Sequence, residues 1–137
     1  MISEIEKMIG VGLVWGSTNS LMRRGALIWE QKLQSAPPAS RDHRGVIGHV
    51  LKWLDLLLLW QYSVPFLVNL SASAAFFYIL GDSPISVAVP VTNATTFAAT
   101  AASAILLGEE MRIGPALLGI ALIVLGVWIC ITSIMIQ

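Results

Sequence analysis

The chain has 137 residues, 56% of them hydrophobic and 12% charged, with no net charge and a mean hydropathy of +0.79. A soluble domain carries roughly 25% charged residues, and a chain this short cannot hide so much apolar surface in a water-soluble core, so bilayer must cover most of it. No basic run interleaved with aromatics points to nucleic acid, and the single cysteine, Cys130, excludes an intrachain disulfide or a cysteine-based metal cluster.

The first apolar stretch, Met8 to Met22, is short for a span and has the length of a signal-peptide core. Glu4 and Glu6 precede it, no small-x-small cleavage pattern follows, and Arg23-Arg24 does. The pattern predicts a retained helix over about 5–22, with room to continue and with both arginines snorkelling to the headgroups. Residues 30–52 are the longest polar region, broken at Ala36-Pro37-Pro38-Ala39. Within the loop 23–62, an apolar pattern resumes over 46–59. His49, Lys52 and Asp55 recur every third residue there, and Trp53 within the stretch and Trp60 just after it support an interfacial depth. One narrow polar stripe suits a helix lying in the membrane surface; the alternative is that Leu56 starts the next span early.

Further spans are predicted over about 63–80, 86–107 and 113–136. Pro65 falls in the first turn of the second, where a missing N–H costs little. Gly81-Asp82-Ser83-Pro84 is a tight turn, and Gly108-Glu109-Glu110-Met111-Arg112 closes the third span. These two short connections place spans two, three and four side by side and antiparallel. Glu109 and Glu110 read as a solvated turn with Arg112 as their nearby partner. Cys130, inside the fourth span, reads as a buried, inert thiol.

Basic residues set the orientation. Arg23, Arg24, Lys32, Arg41, Arg44 and Lys52 lie between spans one and two, Arg112 lies between three and four, and only Lys7 lies on the opposite side. Such a bias puts the loops in the cytoplasm and both termini outside it.

Polar residues within the spans carry whatever chemistry there is. Span one has Trp15 and Ser17 to Ser20, span two Asn69, Ser71 and Ser73, and span three Thr92, Asn93, Thr95, Thr96, Thr100 and Ser103, with no carboxylate, lysine, arginine or histidine deep in any span. One reading is a neutral polar cavity lined by Asn69, Asn93, Thr92, Thr96, Asn19 and Trp15. The other is hydrogen bonding that glues helices together, worth about 0.6 kcal/mol per residue. Asn69-Leu70-Ser71 and Asn93-Ala94-Thr95 match the glycosylation sequon but lie within spans, out of a transferase's reach. Pro90 interrupts span three as a hinge or a static kink. Gly12-x-x-x-Gly16 and the run Phe97 to Ala104 permit close helix approach. Gly119 and Gly126, nearly two turns apart, share a face that could receive a helix of the same chain or of a second copy.

Several motifs together resemble the drug/metabolite transporter superfamily (the EamA-like type): Trp15-Gly16, Ala88-Val89-Pro90-Val91, Leu107-Gly108-Glu109-Glu110, and Leu118-Gly119 through Gly126-Val127. More closely, Val14-Trp15-Gly16-Ser17-Thr18-Asn19, Pro65-Phe66-Leu67-Val68-Asn69, Ala88-Val89-Pro90-Val91-Thr92-Asn93 and Cys130-Ile131-Thr132-Ser133 resemble the eukaryotic transmembrane protein 234 family. The resemblance implies an all-α, polytopic four-helix membrane bundle of drug/metabolite-transporter type as a single domain over 1–137. Small multidrug resistance transporters, which are four-helix relatives, work as antiparallel dimers with a glutamate in the first helix and a seven-spaced glycine face on the fourth. Gly119 and Gly126 match that face, whereas Gly12-Leu13-Val14-Trp15-Gly16 lacks the glutamate, which counts against proton-coupled drug export. The biased loops likewise count against dual topology.

The expectation is a transporter-like protein for an unknown neutral or weakly polar small solute, embedded in the lipid bilayer and paired as a homodimer through its fourth helix. A non-transporting subunit or scaffold that stabilises a partner is the alternative. No catalytic set, metal constellation or phosphate loop is present in the sequence, so neither enzymatic activity nor a cofactor is expected.

Overall fold

The computed structural model describes residues 2–37 and 45–136. Among them are five helices and no strand: α1 (Ile2–Ser35), α2 (Val46–Leu58), α3 (Trp60–Asp82), α4 (Ile85–Leu106) and α5 (Ile113–Met135). Arg41, Arg44 and the second half of the Ala36–Ala39 break lie outside the described residues.

α3, α4 and the stretch Ile113–Ser133 of α5 are each long and apolar enough to cross a membrane. α1 is less apolar, with Glu4, Glu6 and Lys7 in its first two turns and Ser17-Thr18-Asn19-Ser20 at mid-length. Two of those four, Thr18 and Ser20, are buried against neighbouring helices, which is where a polar side chain in a membrane bundle belongs. α1 also runs past the expected 22nd residue without a break. Its 34 residues make a rod of about 51 Å, against a hydrocarbon core of about 30 Å. Residues 46–58 form a separate helix, α2, as the polar stripe predicts. Leu59, in extended conformation, divides it from α3.

The arrangement differs from a simple up-and-down row. α1 packs heavily on both α3 and α4, while α3 and α4 scarcely touch, despite the short turn at Ser83-Pro84 that joins them. α1 is therefore wedged between two helices that the loop lengths place side by side. Glycine is the physical reason. A Cβ on Gly12 would lie 2.8 Å from the Thr92 carbonyl oxygen, and one on Gly16 would lie 2.6 Å from that of Thr96. On the other flank, a Cβ on Gly25 would meet the Gln61 carbonyl oxygen at 2.7 Å. Backbone-to-backbone approach on both sides lets α1 fill the gap, with Met8, Val11, Ala72, Ile79, Ala88 and Val91 as the shared core.

Pro65 is the sixth residue of α3, not a first-turn residue, because α3 begins at Trp60. It has no N–H to give the Gln61 carbonyl. Pro90 removes the corresponding bond to Ser86 inside α4, which continues through it. α5 packs chiefly on α4, so its outer side is bare. Cys130 is accordingly exposed and not buried.

Candidate functional site

Three of the four threonine hydroxyls of α4 are turned back on their own helix. Thr95 donates to the Val91 carbonyl at 2.9 Å, Thr96 to Thr92 at 2.8 Å and Thr100 to Thr96 at 2.8 Å. This satisfies the hydroxyl within one helix and leaves a methyl group to face its surroundings. A span rich in threonine is thereby less polar in the membrane than its sequence suggests.

A smaller set of groups reaches between helices. The Asn69 amide on α3 donates to the Thr18 hydroxyl of α1 at 2.8 Å and to Asn19 Oδ1 at 3.3 Å. The Trp15 indole N–H sits within reach of the Asn69 carbonyl at 3.3 Å and Ser73 Oγ at 3.2 Å. Ser73 in turn donates to the Asn69 carbonyl at 3.0 Å, and Thr18 to the Val14 carbonyl at 2.7 Å. The Trp15 ring also packs on Phe76, with centroids 5.2 Å apart. Five side chains on two helices thus form one uncharged network about midway along α3. Four of its members are amphoteric, since hydroxyls and carboxamides both donate and accept, while the Trp15 indole only donates, so they can exchange partners without moving net charge.

Of the six residues expected to line a cavity, the fold brings Trp15, Asn19 and Asn69 together. Asn19 is exposed while its neighbours Thr18 and Ser20 are buried, so the network opens outward at that residue. Asn93 is not part of it. It lies on α4, across α1 from Asn69, and is exposed, with no hydrogen-bond partner among the described residues. Helical spacing puts Thr96 and Thr100 on the same stripe as Asn93. Thr92 is fully buried, and its hydroxyl has no partner among the described residues. Thr18 and Ser73 stand out as site residues only through their spacing, at i+3 from Trp15 and i+4 from Asn69.

The two ends differ in charge. Arg23 on α1 meets Glu109 after α4, Nη1 to Oε2 at 3.4 Å, so Glu109 is paired across helices instead of with Arg112. That contact places Arg23 of α1 and the turn after α4 at one end. Lys7 pairs with Glu4 at 2.8 Å at the other end, where a groove of about 260 Å³ is lined by Glu4, Met8, Asp82 and Ser83 among others. Gly119 and Gly126 have nothing within 4 Å of a Cβ built on them, so neither receives a helix of its own chain.

Three apolar helices of spanning length, one of which (α3) shares an uncharged hydrogen-bond network with α1, define an all-helical membrane protein. The chain belongs to transmembrane family 234, whose family model matches residues 8–131. It is similar to the transmembrane protein 234 homolog of Dictyostelium discoideum, 33% identical over 132 residues that cover 94% of each chain. It is also similar to the homolog of Anopheles gambiae, 31% identical over 123 residues that cover 88% of this chain and 80% of that one. No solved structure matches.

Proposed function

We propose that the chain is a four-span membrane protein of drug/metabolite-transporter type that moves a neutral or weakly polar small solute. It does so without enzymatic activity or a cofactor. The observation that carries this reading is the Trp15–Thr18–Asn19–Asn69–Ser73 network, uncharged, held between helices and open at Asn19. Such groups can bind a polar solute while no buried charge is left unpaired. α1 is the fourth span: it runs parallel to α4 and in contact with it from Gly12 to Ser20, so it shares the depth of a helix that is itself apolar enough to cross. The basic loops face the cytoplasm and the termini face away. Pro90 is the flexible point of α4, and Asn93, Thr92 and Thr96 are the candidates for a second polar stretch on the other side of α1.

In this reading the pathway is completed by a second copy. Gly119 and Gly126 of α5 supply the open face where helices approach closely. The same bare face favours the second reading, a non-transporting subunit whose α5 docks on another membrane protein. Counterflow of neutral solutes in proteoliposomes, compared between the wild type and Asn69→Leu, tests the first reading. Native mass spectrometry in detergent separates a homodimer from a complex with a different partner.

A further inference from the structure

At the end of the fold marked by the Arg23–Glu109 pair, a groove of about 380 Å³ runs between α1 and α3. Its walls are Leu21, Gly25 and Ile28 from α1 and Trp60, Val64 and Pro65 from α3, with Arg24 and Gln61 as the two polar members. The groove follows from the sequence. Gly25 and Pro65 carry little side-chain bulk, and Gly25 draws the start of α3 against α1. Leu21, Arg24, Gly25 and Ile28 fall on one helical face by their i, i+3, i+4, i+7 spacing.

The two adjacent arginines differ in what they do. Arg23 is paired with Glu109, whereas Arg24 has no ion-pair or hydrogen-bond partner among the described residues and sits in a groove that is otherwise almost wholly carbon. Trp60, 69% exposed, stands at the mouth, where an indole marks the level of the headgroups. The Gln61 side-chain oxygen is buried without a partner among the described residues.

We propose that this groove is a binding site for a glycerophospholipid, with its phosphate on Arg24 and an acyl chain laid along Leu21, Val64 and Pro65. The lipid supplies what each part lacks. A guanidinium that is unpaired beside hydrocarbon needs an anion at the membrane surface. The carbon walls need apolar cover, and free phosphate would satisfy only the first of these. Basic recesses between membrane helices hold headgroups by this combination. The inference does not rest on transport, since no residue lining the groove belongs to the Asn69 network, although Pro65 lies about one turn from Asn69.

The test uses the full chain purified in detergent and titrated with dioleoyl phosphatidylglycerol, with the bound fraction read by native mass spectrometry. Dioleoylglycerol, which has the same chains without the phosphate, and inorganic phosphate are run in parallel. The wild type retains one phosphatidylglycerol. Arg24→Gln weakens its binding by about tenfold, the scale of one lost charge-assisted contact, and Arg24→Lys recovers part of it. Arg23→Gln changes it by less than about twofold, because that arginine's charge is already taken up by Glu109. Val64→Trp, which fills the groove while keeping Arg24, weakens it as much as Arg24→Gln does. Equal losses from Arg23→Gln and Arg24→Gln, equal binding of dioleoylglycerol, or displacement by inorganic phosphate would each overturn the site. Should Arg24→Gln lose helicity by circular dichroism, Arg24→Lys and Val64→Trp decide the matter.

Discussion

The Asn69 amide and the Thr18 hydroxyl, 51 positions apart in sequence, meet at 2.8 Å in the region where α1 and α3 cross. Thr18 is buried and its own proton is given to the Val14 carbonyl, so its oxygen is free to accept from Asn69. In a membrane such a bond is worth about 0.6 kcal/mol on average. Asn69→Leu and Thr18→Val should each destabilise the α1–α3 contact by about 1 kcal/mol, with a coupling energy near the average above when combined. Reversible unfolding in mixed micelles measures this. Strict additivity of the two changes would mean that the bond contributes nothing.

The glycines of α1 and α5 should behave oppositely. A side chain at Gly16 must enter space held by Ala99 and the Thr96 backbone, and such overpacking costs about 1–3 kcal/mol or more. Gly16→Leu should therefore separate α1 from α4 and lower the thermal stability of the monomer. Gly119→Leu meets open space and should leave monomer stability unchanged while reducing any dimer seen by cross-linking. A destabilised monomer for Gly119→Leu would contradict the packing described for α5.

Thr92 carries a buried hydroxyl without a partner among the described residues, opposite Gly12. An unsatisfied buried hydroxyl costs about 1–3 kcal/mol, and an apolar group of the same shape removes that cost. Thr92→Val is expected to stabilise the protein by about 1 kcal/mol, read as a higher midpoint of unfolding. Should the same variant also lose activity, the hydroxyl is kept for function at the expense of stability. A lower midpoint would show that the hydroxyl has a partner in the membrane.

The helices were legible in the sequence because apolar runs and their Gly-Asp-Ser-Pro and Gly-Glu-Glu punctuation are local signals. The order in which they pack was not. Short loops put α3 beside α4 by connectivity, whereas two glycines and a run of small residues put α1 between them by contact, and contact decides packing. Arg23 was readable as a snorkelling residue, but its choice of Glu109 depends on α1 packing directly beside α4, which no local pattern encodes. For the site, Asn69, Trp15 and Asn19 stood out as polar residues in apolar surroundings. The same criterion also picked Asn93, which the position of α1 separates from them. Thr96 looked polar in sequence and spends its hydroxyl on its own helix.

The ends of the fold give an orientation that can be checked directly. The Arg23–Glu109 pair brings α1 at Arg23 to the turn after α4, and in sequence seven basic residues between the spans stand against Lys7 alone near the N-terminus. Single cysteines introduced at the two termini in a Cys130→Ser background should react with an impermeant reagent on intact cells if the chain is at the cell surface. A cysteine at Gln34 should react only after permeabilisation. Labelling of Gln34 in place of the termini would reverse the assignment. Glu109→Gln should not alter it, since the pair is partly exposed and worth at most about 1 kcal/mol.

Transport, where it occurs, should not run on a titrating carboxylate inside the membrane. α3, α4 and the spanning part of α5 have no acidic residue except Asp82, at the last position of α3, and α1 carries its acids at residues 4, 6 and 30. The network between α1 and α3 is built from Trp15, Thr18, Asn19, Asn69 and Ser73, none of which titrates near neutral pH. A charged solute passing these groups would lose its hydration with no counter-charge to replace it. A neutral polar solute could exchange water for carboxamide and hydroxyl partners at little cost. Solute flux into proteoliposomes should therefore be nearly the same at pH 6 and pH 8, two roughly chosen points that bracket neutrality. Asn69→Leu should lower the flux several-fold with insertion intact, because leucine raises the hydropathy of α3. Asn93→Leu distinguishes a path shared by both faces of α1 from one confined to the α1–α3 side: only a shared path loses flux. The decisive control is Glu109→Gln. Glu109 sits at the edge, paired with Arg23, and its loss should change flux little. A flux that needs a proton gradient and disappears in Glu109→Gln would place the coupling at that edge carboxylate and refute the uncharged pathway.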